Sequence, residues 1–323
     1  MIRLKPIAAV FLFFLLPALT HSQNFGGNPS SIKWKQVNTP KARVIFPAGL
    51  DSQANRIANV VQLMDSSTSK TIGGSQRKWN IVLQNQTTIP NAYVRMAPIM
   101  SELYMTPGQN NFTTGSVRWD DNLITHENRH MQQFSNFNKG FTKLFSFFLG
   151  QEGQLFANGL LLPDYFFEGD AVWQETLVSA QGRGRMPAFL NEFKAIWTAG
   201  KNYRWNKYRS GSLKDMVPDL YPIGYILVAY GYEKYGADFW KKVTDDAVRL
   251  KSLFNKAIEK NAGIPFTQFR KDAVAYYQNQ LLKKEKTFLL TGYLTNTQKN
   301  NVVDYLFPNF ISNDSILVTK RFL

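Results

Sequence analysis

His126 and His130 stand four residues apart in the run His126-Glu127-Asn128-Arg129-His130. On an α-helix this spacing puts both imidazoles on one face, about 6 Å apart along the axis, so both can reach one metal ion. Glu127 is turned by about 100° from His126 and points at the open side of such an ion. There a carboxylate can take a proton from bound water and later deliver it to a leaving amine. The chain has three His and no Cys, and the remaining His21 lies near the start. Any metal is therefore held by His and carboxylates. A surface helix with two solvated histidines is the plain alternative.

A catalytic zinc takes three protein ligands and keeps one position open, so a third ligand must come from another element. The segment Pro163 to Glu175 offers Glu168, which follows Phe166-Phe167 and precedes Gly169. A glycine there lets a neighbouring helix backbone come close, while Ala171, Val172 and Val178 give the helix a buried side. A charged residue favoured by the dipole of a helix start is the competing explanation. Asp170 and Glu175 are placed to hold a His ring in orientation.

These residues need a frame. Ala42-Arg43-Val44-Ile45-Phe46 reads as a strand, residues 51–65 as a helix and Trp79 to Leu83 as a second strand. Residues 92–106 read as two extended pieces broken by Pro98. From Asp120 the pattern is helical for about 160 residues. Asp120 and Asp121 can cap the helix of the His pair, with Trp119, Leu123, Ile124, Met131 and Phe134 as its apolar side. A small sheet followed by helices is an α+β arrangement. Near the end, Val302 to Pro308 and Ser315 to Lys320 are strand-like. The expected division is a signal peptide at 1–22, a main domain at 23–287 and a β segment at 288–323.

The start carries Arg3 and Lys5, an apolar run from Ile7 to Leu19, and small residues before Gln23. This pattern suits a cleaved secretory signal and predicts export to the periplasm or cell envelope. The net charge is +15, with the basic residues scattered rather than striped. That excludes a nucleic-acid stripe and leaves unspecific contact with anionic envelope polymers. At 323 residues with 44% hydrophobic content, the chain can build a substantial core.

His126-Glu127-x-x-His130, followed by Tyr-Phe-Phe-Glu168-Gly-x-Ala, resembles the gluzincin peptidases, in particular the peptidase-MA-like domains of exported bacterial proteins. The similarity runs from about Arg43 to Lys284 and is most specific at the two motifs. It implies that His126, His130 and Glu168 bind one Zn2+, that Glu127 is the general base, and that the substrate is a peptide or protein. Such domains often precede a TolB-like β-propeller, which the C-terminal strands resemble. Two departures stand out: Val172 occupies the place of an Asp found in many gluzincins, and the acidic exopeptidase motif is missing unless Glu102 substitutes for it.

Gluzincins also use a Tyr or His to stabilise the oxyanion. With no His left, the expectation falls on Tyr225, in a helix opened by Tyr221-Pro222; packing in a helical core is its other reading. Gly182-Arg183-Gly184-Arg185 reads as a solvated basic turn, with a grip on a substrate carboxylate as the alternative. Phe141 to Phe148 reads as core or pocket wall, with a membrane-touching surface as the lesser reading. The expected function is peptide hydrolysis by a Glu-activated, zinc-bound water. The alternative is a catalytically idle zinc-binding scaffold of the envelope, which has no need of Glu127.

Overall fold

A computed structural model describes residues 28–108, 115–283 and 303–322. The signal segment expected at 1–22 lies outside the described residues. The fold is α+β, with a five-stranded mixed sheet leading into a helical body.

Strands β1 (Trp34–Asn38), β2 (Ala42–Pro47), β3 (Trp79–Gln84), β4 (Ala92–Met96) and β5 (Ile99–Tyr104) lie in the order β1-β2-β3-β5-β4. The central three run parallel, and β1 and β4 are antiparallel edges. Alternation explains the strands' faces: Ala42, Val44 and Phe46 are buried while Arg43 is exposed, and Trp79, Ile81 and Leu83 are buried while Asn80 is exposed. Strand β1 has no such alternation and is mostly exposed, which is why its sequence carries little strand signal. Helix α1 (Asp51–Thr68) covers the sheet with Ala54, Ile57, Ala58 and Val61.

Helix α2 (Trp119–Asn136) adds Leu123, Ile124 and Met131 to the same core. Its first turn holds Asp120 and Asp121, which pair with Arg118 and Arg56 rather than capping the helix from outside. Helix α3 (Gly140–Leu161) is broken at Gly150, and α4 (Asp164–Val178) follows. Six more helices complete the body among the described residues: α5 (Pro187–Thr198), α6 (Trp205–Ser210), α7 (Leu220–Tyr235), α8 (Phe239–Val248), α9 (Phe254–Ala262) and α10 (Phe266–Lys283). Their core is aromatic, with Phe166, Phe193, Trp240 and Phe269 fully buried.

Helices α4 and α7 touch backbone to backbone. A Cβ on Gly169 would collide with Gly224 of α7, and one on Gly224 would collide with the Tyr165 carbonyl. The side of α4 carrying Ala171 and Val172 is buried, whereas Val178 at its end is exposed. The chain divides into two compact units, one through Lys283 and one from Lys284. The second contains an antiparallel hairpin of β6 (Val303–Ser312) and β7 (Ser315–Phe322). Pro308, which has no N–H to give, falls in a register break between Leu306 and Asn309.

Candidate metal centre

The helix of the His pair and helix α4 place their polar residues in one cleft of about 470 Å³, lined by His126, Glu127, His130, Glu168, Tyr221 and part of strand β4. His126 Nε2 lies 3.2 Å from Glu168 Oε2 and 3.2 Å from His130 Nε2. His130 Nε2 lies 3.6 Å from the same Glu168 oxygen. Donor atoms held tetrahedrally at about 2.0–2.1 Å from an ion stand roughly 3.3–3.4 Å apart. The triangle thus has the size of one face of a tetrahedral coordination shell. Two imidazole nitrogens and one carboxylate oxygen form a donor set that could hold a metal ion.

Each ring is held from behind. His126 Nδ1 lies 2.6 Å from Glu175 Oε1, and His130 Nδ1 lies 2.9 Å from Gln133 Oε1. Both oxygens can only accept there, so each Nδ1 donates backwards and each Nε2 faces the triangle; Arg183 Nη2, which donates to the same Glu175 oxygen, also lies 2.8 Å from His126 Nδ1. Glu175 is fixed in turn by Arg183, whose Nε donates to Oε2 over 2.8 Å. Burial raises the Glu175 carboxyl, but Arg183 and His126 outweigh that and bring it down to about 2. Asp170 touches neither ring; it accepts from Gln133 Nε2 over 2.8 Å and so supports His130 at one remove.

Behind the His126–His130–Glu168 triangle, Asp170 and Arg129 form a fully buried ion pair, with Arg129 Nε and Nη2 donating over 2.7 and 2.9 Å. Tyr232 donates to Asp170 and accepts from Arg129. Arg129 also donates to the Thr68 carbonyl and to Gln132. This cluster locks α2, α4 and α7 together independently of any ligand.

The electrostatics favour a cation at the triangle. Burial opposes charge on His126, yet its bonds to Glu168 and Glu175 raise it to about 9. Burial likewise raises Glu168, but the two histidines pull it well below the usual carboxylate range. A positive charge of either kind, proton or metal, is welcome between these groups. Glu127 is buried, and that burial pushes its carboxyl upward, toward the range useful for taking and returning a proton.

Tyr225 does not reach the cleft. Its ring packs on Phe189 and Tyr277, in space left by Gly184, and its hydroxyl turns to Tyr277 and Thr176. The tyrosine at the site is Tyr221, one turn earlier on α7. Its hydroxyl reaches Glu168, its ring lies 6.3 Å from that of His126, and Arg183 stacks over it at 5.3 Å. From its sequence, the Gly182 to Arg185 turn is expected to be solvated. It docks instead, because Gly182 abuts the Glu175–Thr176 backbone and Arg183 buries its charge on Glu175. Glu102 faces Tyr93 across the β4–β5 pair, outside the cleft lining; burial and then Glu102 raise the pKa of the Tyr93 hydroxyl.

Asn158 of α3 lines the cleft with both side-chain amide atoms buried and without a hydrogen-bond partner. Beside it, strand β4 presents Ala92, Tyr93 and Val94 at the edge of the sheet. Phe134, Leu155 and Phe167 make the apolar wall. No protein-family model matches the chain, and no curated protein matches it.

Proposed function

We propose that the chain is an exported zinc peptidase of gluzincin type. The observation that carries this reading is that one cleft holds the His126, His130 and Glu168 triangle, the Glu127 carboxyl and a sheet edge. Two neutral imidazoles and one carboxylate suit zinc, a borderline ion that accepts four-coordinate geometry. When bound, zinc supplies a Lewis acid for the scissile carbonyl and for an attacking water.

Glu127 takes the proton of that water and passes it to the leaving amine. The Tyr221 hydroxyl donates to the oxygen on which charge develops. Glu175 and Gln133 keep the two rings aimed, so the ligand face is preformed rather than assembled on binding. Edge strand β4 offers backbone groups to an extended peptide laid beside it, as a further strand of the sheet. The unpaired amide of Asn158 adds one donor and one acceptor for the peptide backbone.

The test pairs metal analysis of the purified protein with cleavage of a broad peptide library. About one zinc per chain together with cleavage supports the reading. Stoichiometric zinc without cleavage makes the protein an idle scaffold, and absence of bound metal overturns the reading altogether.

A further inference from the structure

Helix α3 exposes a run of large apolar side chains that the cleft does not use. Phe147, Phe148 and Leu149 are 80%, 71% and 60% exposed, and Leu144, Phe156 and Leu160 are each more than half exposed. The helix doubles back on itself at Gly150, where φ is +63°. The returning limb packs Gly153 on the backbone of Phe145 and stacks Phe156 on Phe145, with ring centroids 5.9 Å apart. Both limbs are anchored: Thr142 bonds the Val248 carbonyl, and Gln154 bonds the Phe134 carbonyl. What projects is the apex, a convex aromatic tip on a braced base.

Apolar patches of this kind mark interaction sites in folded proteins. The shape and surrounding charge select the partner. A convex tip offers no groove for a peptide helix or strand, but it can enter a fluid apolar phase. Lys143 on the first limb and Arg95 next to the strand turn that bonds Gln151 are exposed and have no carboxylate partner among the described residues. Glu152 is the one acid on the helix, and the whole chain carries +15. No described helix is long and apolar enough to cross a membrane. Entry would therefore stop at the interface, where apolar side chains reach about 5–10 Å into the headgroup and acyl boundary.

We infer that the apex Phe147-Phe148-Leu149 docks the protein on the surface of an anionic phospholipid bilayer. The inference does not rest on the peptidase reading. Because the returning limb also supplies Leu155, Asn158 and Gly159 to the cleft, docking holds the cleft beside the bilayer.

The chain has no Cys, so single cysteines can be labelled without background. Phe148→Cys and, as a control on a separate exposed loop, Leu213→Cys would each carry an environment-sensitive fluorophore on the full chain. With vesicles of phosphatidylglycerol and phosphatidylcholine, the label at position 148 should shift to the blue and brighten several-fold. The label at 213 should not change, and vesicles of phosphatidylcholine alone should give a weaker response. Phe147→Glu with Phe148→Glu, both at exposed positions, should reduce vesicle binding at least tenfold without lowering the melting temperature. If the protein sediments with vesicles while the 148 label stays in water, another segment does the binding and the inference fails. A blue shift that grows with protein concentration in the absence of lipid would also overturn it, by showing that a second copy covers the apex.

Discussion

Gly169 and Gly224 face each other where helices α4 and α7 cross, and neither has room for a Cβ. Glu168 precedes the first by one residue and Tyr221 precedes the second by three, so this contact sets how closely the tyrosine approaches the ligand carboxylate. Gly224→Ala should push α7 outward, at a cost of about 1–3 kcal/mol from overpacking. Turnover should fall more than metal content, because the His pair and Glu168 lie on the other two helices. Denaturant unfolding, zinc analysis and a peptide assay on the same preparation check this. Equal losses of metal and activity would place the effect at the ligands instead.

Glu127→Gln should retain zinc and fold while turnover drops by about 10²–10⁴-fold, the range for loss of a positioned general base. The neutral amide fills the same buried space without leaving a charge. Full activity in this variant would show that the cleavage comes from another site or another protein.

Glu175→Gln takes the negative charge from the acceptor behind His126, and Gln133→Ala removes the acceptor behind His130. Each should weaken zinc affinity by about 10–100-fold. Glu168→Gln should weaken it further, since in the proposed site that carboxylate bonds the ion directly. Competition with a chelator of known affinity gives the ranking, and a smaller loss for Glu168 than for Glu175 would move the third ligand elsewhere.

Tyr221→Phe should lower turnover by about 10²–10³-fold if its hydroxyl stabilises the oxyanion, with little effect on substrate binding. Tyr225→Phe should leave turnover unchanged, because that ring sits behind Gly184 and away from the cleft. Steady-state kinetics on both variants separates the two, and the reverse ranking would restore Tyr225 to the mechanism.

Asn158→Ala should raise KM by roughly tenfold, the equivalent of about 1.4 kcal/mol of hydrogen bonding to the substrate backbone. Thermal stability should hold, since the deleted amide has no partner in the free protein. A lower melting temperature with unchanged KM would make Asn158 a structural residue.

Much of the site was legible because its chemistry is local. Two histidines one helical turn apart, and a glutamate followed by a glycine, state their own geometry. The tyrosine was misplaced because Tyr221 and Tyr225 lie one turn apart on the same helix, and sequence spacing cannot say which turn meets the cleft. The glycines held the answer: counted back from the Gly169–Gly224 crossing, Glu168 and Tyr221 come to the same side. Arg183 was out of reach because its role needs the Gly182 turn to fold back on the end of α4. The apolar run in α3 reads as core from composition alone, and only its lack of neighbours at the apex shows otherwise. The sheet interior could be read from alternation, whereas edge strand β1, with no buried face of its own, could not.

The buried Arg129–Asp170 pair has a consequence for how such a chain can change over generations. It fastens the helices of His126 and Glu168 with protein groups alone, so this contact does not need the ion the site would bind. Selection on shape and selection on chemistry therefore act on different residues. A descendant that lost Glu127, or even the His pair, would keep its body and its surfaces, and the fold could outlive its reaction.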